Sequence, residues 1–345
     1  MPRVSASRLP SFPLPVVLMY HSVASPRNGT DLYGLHVEPD HFREQIKLIA
    51  DYYRIISIQE LADRLNRGRL RPNSFVVTFD DGYANNLSRA APILQEFDAP
   101  ATLFLCSGFV GRRSFWWEEL INAVFTATNK PENFSTISVS LKEAESFLRA
   151  RLHDLDNSDV RAELVSRIWT VLTSMQFDQM LEVVDAIVDR LRPAGDISEL
   201  RPMTVDEVTR ASCFFNVGAH SVTHPMMTKL ELPEVAREAL NSKRFCEELA
   251  GTSVNSFAYP YGDFDNYVSD EMSRLFAMAC TTEERLVKFK TPIWQVPRFQ
   301  VHNWNLNQFI KKLESWSGQE KSSLLAKLDH WSLAMRRRAS RRWGH

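Results

Sequence analysis

Ser74-Phe75-Val76-Val77-Thr78-Phe79, running straight into Asp80-Asp81-Gly82-Tyr83, decides how the rest of this 345-residue chain is read. The first six residues are too few for a helix and rich in β-formers. They read as a strand buried on both faces, as parallel strands are. Two neighbouring acids then stand where the strand ends. On a strand, adjacent side chains diverge. At a strand end both can reach one pocket, and Gly82 permits the tight turn that follows.

Working outward, the same pattern recurs on both sides. Val16–His21 reads as a buried strand, Pro39–Asp51 as a helix, Arg54–Ser57 as a brief strand and Ile58–Asn66 as a short helix. Asn85–Phe97 reads as a helix and Ala101–Cys106 as the next strand. Such alternation predicts parallel strands joined by crossover helices. It stops near Arg112. Residues 112–202 read as a helical insertion, with candidates Trp116–Ala127, Leu141–Leu155, Ser158–Ser174 and Phe177–Leu191.

The alternation resumes at Thr204-Val205-Asp206-Glu207, a capping box that opens a short helix. Strands are expected at Phe214–Gly218, Ser256–Tyr259, Ala277–Thr281 and Gln295–Val301, and helices at Glu231–Leu249, Asp265–Phe276 and Asn305–Leu313. The fold class is therefore α/β: a distorted (β/α) barrel of about seven parallel strands over residues 14–318, interrupted by the insertion. A C-terminal tail, 319–345, carries Arg336, Arg337, Arg338, Arg341 and Arg342 with Trp331 and Trp343 close by. It is expected to be a solvated end, or to lie on an anionic membrane surface through residues 331–345.

Composition narrows the function classes. With 44% hydrophobic and 24% charged residues the chain has the balance of a soluble globular protein. A net charge of −1 gives no whole-chain argument for binding nucleic acid. No apolar run is long enough for a membrane span. Four cysteines without CxxC spacing read as buried thiols of a reducing compartment. Met1–Pro15, broken by Pro10, Pro13 and Pro15, reads as no signal peptide. The expected location is the cytoplasm, with peripheral contact at the inner membrane face.

His220-Ser221-Val222-Thr223-His224-Pro225 supplies two imidazoles four residues apart. With Asp80 and Asp81 they make three ligands for a divalent metal and one spare carboxylate to serve as a base. Taken singly, each motif is equally a turn or a set of ordinary polar residues. Together, and with Tyr261 and His21 also just past predicted strands, they point to one site at one end of the barrel.

Thr78-Phe79-Asp80-Asp81-Gly82, His220-Ser221-x-x-His224-Pro225 and Phe257-Ala258-Tyr259-Pro260-Tyr261-Gly262 resemble the ordered motifs of the polysaccharide deacetylase family, carbohydrate esterase family 4, with its NodB-homology domain. The resemblance covers roughly Val16–Gly111 and Met203–Leu313. It implies that Asp80 is the catalytic base, that Asp81, His220 and His224 hold the metal, and that the Tyr261 N–H helps bind the oxyanion.

Two departures matter. Ala258 stands where many members have an arginine that orients the base. Arg298, in Val296-Pro297-Arg298-Phe299, either takes that part or forms an ordinary surface ion pair. The usual late leucine-rich segment ending in a catalytic histidine is missing. Leu18-Met19-Tyr20-His21-Ser22-Val23 instead resembles the branch with the histidine on the first strand. His21 is then the general acid, and His302 the rival.

The implied cofactor is zinc, with cobalt or nickel also acceptable to these ligands. The implied reaction removes N-acetyl groups from an acetamido sugar in a glycan or glycan precursor. Hydrolysis of an O-acetyl ester or cyclic amide, and an inactive glycan-binding module, are the alternatives. Tyr83, Tyr261 and Trp304 are candidate sugar contacts. Trp116 and Trp117 either do the same or anchor the insertion.

Overall fold

In the computed structural model, residues 9–26, 29–128, 146 and 156–318 are described. Eight strands form one parallel sheet: β1 Val16–Tyr20, β2 Arg54–Ile55, β3 Ser74–Phe79, β4 Ala101–Leu105, β5 Phe215–Ala219, β6 Ser256–Ala258, β7 Met278–Cys280 and β8 Phe299–Gln300. Their spatial order is β7-β6-β5-β4-β3-β1-β8, with β2 paired to the outer part of β3. The curl is completed by the last segment. Val296 bridges Cys280 of β7, and three residues later Phe299 pairs with Leu18 of β1. A distorted (β/α) barrel results, as the alternation of elements predicts.

Alternation along each strand sorts side chains into two cores. Val16, Leu18, Phe75, Val77, Leu103, Val217 and Phe257 pack outward against the helices. Val17, Val76, Phe104, Ala258, Met278, Cys280 and Val296 fill the barrel interior. At Gly218 of β5 a Cβ would meet the Phe104 ring at 2.4 Å, so the interior accepts only a hydrogen there. Period-2 counting then predicts the mouth. Residues 80, 21 and 220 follow the inward positions 76 and 78, 17 and 19, and 218, so Asp80, His21 and His220 continue the inner face.

The helices are α1 Pro39–Tyr52, α2 Ile58–Asn66, α3 Ala91–Glu96, α4 Trp116–Phe125, α5 Ser158–Leu172, α6 Phe177–Leu191, α7 Val205–Ala211, α8 Leu232–Ala250 and α9 Asn266–Leu275. A further helix runs over 306–318. The Thr204–Glu207 capping box is present as predicted.

One helix differs. Asn85–Phe97 was expected to be a single α-helix, but residues Asn86–Ala90 wind as a π-turn before α3 begins. Pro92 lacks an N–H and cannot continue an ordinary ladder. The wider turn leaves the Asn85 and Asn86 side chains to hold neighbouring loops.

α4, α5 and α6 share a separate apolar cluster. Leu120 and Val124 meet Leu164, Val165 and Ile168 of α5 and Val184 and Ile187 of α6. The buried positions of α5, Val160, Leu164, Val165, Ile168 and Leu172, form one helical stripe. Apart from residue 146, the expected Leu141–Leu155 helix lies outside the described residues, as does the basic tail 319–345. Among the described residues no helix is long and apolar enough to cross a membrane.

Candidate active site

A cavity of about 350 Å³ opens at the C-terminal ends of the strands, lined by Asp80, Asp81, His21, His220, His224 and Tyr261 among others. Six of the residues singled out in the sequence thus meet in one place.

Asp80 ends β3 and points into the barrel. Arg298 lies fully buried beneath it and forms a two-pronged pair, Nη1 to Oδ1 and Nη2 to Oδ2, both at 2.7 Å. The guanidinium also donates from Nε to the Thr281 carbonyl at 3.0 Å and from Nη1 to Thr78 Oγ1 at 3.2 Å. Its flat face lies over the Phe104 ring. Arg298 is therefore no surface ion pair. It reaches Asp80 from a strand distant in sequence and fixes both carboxylate oxygens.

Asp81 turns the other way because its backbone is left-handed, φ 71°. That conformation costs an L-residue roughly 1–2 kcal/mol. It recurs at Ser221, His224 and Tyr261 with φ of 64°, 57° and 58°. Four of the seven described non-glycine residues with positive φ thus sit at this one mouth, where stored strain points to function. Gly82 follows at φ 93°, and a Cβ there would meet Leu105 at 2.4 Å.

The result is a ligand-like triangle. Asp81 Oδ1 is 3.6 Å from Nε2 of His220 and 3.6 Å from Nε2 of His224. All three atoms lie within 4.8 Å of one another. The separations are too long for hydrogen bonds, and Asp81 Oδ1 is buried without a partner. Three ligands each about 2.1 Å from a shared tetrahedral ion stand about 3.4 Å apart. His220 Nδ1 donates to the Ala258 carbonyl at 2.8 Å, which leaves Nε2 with its lone pair facing Asp81. An orphaned carboxylate oxygen between two imidazole nitrogens fits a divalent cation.

The loop carrying His224 is held from behind. Glu238 on α8 accepts from the Val222 and Thr223 N–H groups at 2.7 and 2.9 Å and from Thr223 Oγ1 at 2.8 Å. Ser221 Oγ accepts from the His224 N–H at 3.0 Å. At the turn Pro260–Gly262, the Gly262 and Asp263 N–H groups go to the Tyr259 and Pro260 carbonyls, leaving that of Tyr261 out of the turn's own bonding. The Tyr261 ring packs 4.4 Å from His224.

Electrostatics separate the two neighbouring acids. Burial pushes the Asp81 carboxyl well above the usual range, and the charges of Asp80 and Glu118 push it further. Burial acts on Asp80 too, but Arg298, His220 and His21 outweigh it and hold the carboxyl down at about 2. Burial lowers His21 to about 4, against the pull of Asp80 and with help from Arg298, His220 and His36. His220 and His224 are also lowered, chiefly by burial. Neutral imidazoles are what a metal needs.

Two expected sugar contacts are corrected. Tyr83 is fully buried. Its hydroxyl donates to Glu118 at 2.7 Å and accepts from Trp117 Nε1 at 2.9 Å, so it holds insertion to barrel rather than facing the cavity. Trp304 packs against His302 and Trp316 and is absent from the cavity lining, because the chain has already turned into the 306–318 helix. His302 also lies outside the lining and donates from Nδ1 to the Gly34 carbonyl at 3.2 Å, whereas His21 lines the cavity. Trp116 is buried packing, while Trp117 reaches the cavity wall.

Sequence reasoning missed Tyr33, Trp169, Gln300, Glu238 and Asn86. Gln300 follows Arg298 by two residues, so period-2 counting would have found it. Asn86 donates to the His21 carbonyl at 2.8 Å and fixes its backbone. The others come from loops and helices that no strand register locates.

A family model described as polysaccharide deacetylase matches residues 67–278. Poly-β-1,6-N-acetyl-D-glucosamine N-deacetylase of Escherichia coli (strain K12) is 24% identical over 306 residues, 86% of this chain and 38% of that protein. The Bacillus subtilis (strain 168) protein YxkH is 30% identical over 105 residues, 30% of this chain and 36% of that one. The chain thus spans little more than a third of the length of these curated relatives. Among solved structures, Streptococcus pyogenes deacetylase PplD in complex with acetate aligns with a TM-score of 0.56 at 17% identity, covering 87% of this chain and 98% of that one. IcaB from Ammonifex degensii aligns at 0.54 with 17% identity, covering 88% and 97%. These structural likenesses concern the fold.

Proposed function

The chain belongs to the polysaccharide deacetylase family, and from that premise we propose that it is a metal-dependent hydrolase removing N-acetyl groups from an acetamido sugar of a glycan or glycan precursor. One observation carries the reading: the partnerless Asp81 Oδ1 stands 3.6 Å from two imidazole nitrogens, beside a second carboxylate gripped by a buried arginine. The 24% identity to a poly-β-1,6-N-acetyl-D-glucosamine N-deacetylase supports N-acetylglucosamine as the sugar.

Asp81, His220 and His224 would hold the ion, zinc by default. When bound, such an ion polarises the acyl carbonyl and acidifies water, whose pKa falls towards about 7. Every other role falls to the chain. Asp80 takes a proton from the attacking water, and Arg298 keeps its carboxylate aimed. With a pKa of about 2 it is a weak base, so the proton it accepts is passed on rather than retained. The Tyr261 N–H donates to the oxyanion, and such a donor typically contributes about 10²–10³ in rate. His21 delivers a proton to the departing nitrogen, since an amine leaves poorly without one. Its low proton affinity makes it a donor that gives its proton up readily once charged.

The test is acetate release by protein loaded in turn with zinc, cobalt and nickel. Substrates are N-acetylated glucosamine oligosaccharides and O-acetylated sugars. The reading expects release from the N-acetylated set, loss on chelation and recovery on adding metal back. Release from O-acetyl esters alone, or full activity after chelation, would overturn it.

A further inference from the structure

Beyond the ligand triangle the cavity carries a row of aromatic rings, of which the motifs and the mechanism use only Tyr261. Tyr261 lies 4.4 Å from the His224 ring, Trp169 lies 6.4 Å from Tyr261, and Tyr33 lies 4.9 Å from Trp169. The row runs outward from the candidate metal centre. Trp169 and Tyr33 both line the same cavity as Asp80 and Asp81.

The two outer rings come from different parts of the chain. Trp169 sits on α5 in the insertion, at the edge of that helix's buried stripe. One side packs on Trp116 at 4.4 Å, and the residue keeps partial exposure. Tyr33 sits on the loop after β1 and is 40% exposed. Its loop is held from both sides. Gln300 Nε2 donates to the Tyr33 carbonyl at 3.0 Å, and His302 donates to the Gly34 carbonyl at 3.2 Å. Gly34 has φ 64°, and a Cβ there would meet the His302 ring at 2.1 Å. The ring is therefore presented by a fixed support.

An apolar ring surface left open beside polar catalytic groups suits a ligand that has both characters. A pyranose has such faces: axial C–H bonds stack on an aromatic ring while the hydroxyls stay solvated. A core reading would bury these rings fully, as it does Trp116. We infer that Trp169 and Tyr33 form a stacking subsite for a sugar residue neighbouring the one whose acetamide is cleaved, so that the insertion selects oligosaccharides over single sugars.

This inference rests on the reading of the site as a saccharide deacetylase, and the test separates the two. Calorimetric titration of the full chain carrying Asp80→Asn with an N-acetylated glucosamine tetrasaccharide measures binding without turnover. Acetate release gives KM and kcat for the tetrasaccharide and for the monosaccharide. Trp169→Ala and Tyr33→Ala should each weaken tetrasaccharide binding and raise its KM roughly tenfold. Their kcat, and their KM for the monosaccharide, should stay within about twofold of the parent. Trp169→Phe, which keeps a flat ring, should recover most of the loss.

Tyr33→Ala guards against misfolding, because that ring is on the surface and its loop is held through backbone groups. Unaltered tetrasaccharide binding in folded Tyr33→Ala and Trp169→Ala variants would overturn the subsite. So would equal losses for both substrates. Ring-dependent binding by a parent that releases no acetate would uphold the subsite and refute the deacetylase reading instead.

Discussion

On the barrel wall of the pocket, Asp80, Asp81, His220 and His224 are charged groups or candidate ligands fixed by hydrogen bonds and left-handed backbone. On the insertion wall, Trp117 and Trp169 are rings fixed mainly by packing against other rings. The first wall is built from strand ends and tolerates little displacement, because reacting groups must be placed to within fractions of an ångström. The second is built on helices with their own core and need only present area. Chemistry on one side and recognition on the other is the division this implies, and substitutions should sort along it.

The hardest blow is Asp80→Asn on the barrel wall. It should lower kcat about 10³-fold or more while zinc remains bound, measured by acetate release and metal analysis. Retained turnover would erase the distinction between the walls.

Arg298→Met comes next. It leaves the Asp80 charge buried without its partner, a change that typically costs about 3–5 kcal/mol, read as a lower urea midpoint. Arg298→Lys should recover only part, since one ammonium cannot grip both carboxylate oxygens.

Glu238→Gln probes the support behind His224. It should weaken zinc binding about 10–100-fold in a competition with a chelator, with kcat restored at saturating metal.

Tyr83→Phe acts at the seam between the walls. It strips Glu118 and Trp117 of a partner and should cost about 1–3 kcal/mol in unfolding. KM for a monosaccharide should barely move. A large fall in kcat would show that the insertion holds the chemistry in register after all.

Acid gives the most gradual effect. His21 is lowered from 6.5 to about 4 in the fold, so the unfolded chain takes up that proton first. Metal-free protein should lose stability as pH falls from 6.5 to 4, by at most about 1.4 kcal/mol per pH unit from this group. Asp80, lowered from 3.8 to about 2, contributes stability that is complete above pH 3.8 and lost as pH falls through 2. His21→Gln should reduce the slope of the upper window, which His220 and His224 share, and leave the lower one alone, as read from urea midpoints.

The sequence displays the two walls unequally, for a physical reason. A buried parallel strand must be apolar on both faces, so Ser74–Phe79 and Val16–Tyr20 announce themselves, and the residue at each strand end inherits a direction from parity. That made Asp80, His220 and His21 readable. Asp81 needed its motif as well, since parity alone would have turned it out of the pocket; its left-handed backbone brings it back. Arg298 could be named as a candidate but not placed, because pairing of its strand with β1 is set by closure of the whole barrel. Tyr83 and Trp304 were misread because proximity in sequence to a strand end does not fix on which side of a helix start a ring falls. Trp169 had no local signal at all. Its neighbours in the stripe of α5 are buried apolar residues, and only the docking of that helix against the barrel turns its ring to the cavity.

The segment that closes the barrel also carries the arginine, and the pair it makes with Asp80 spans 218 residues of chain. During synthesis both carboxylates and both imidazoles emerge from the ribosome well before the guanidinium does. A nascent or clipped polypeptide lacking β8 would hold a naked acid in an unsealed sheet, with nothing to orient it. Assembly of the reactive apparatus is thereby coupled to completion of the fold, a late checkpoint that arises from topology alone.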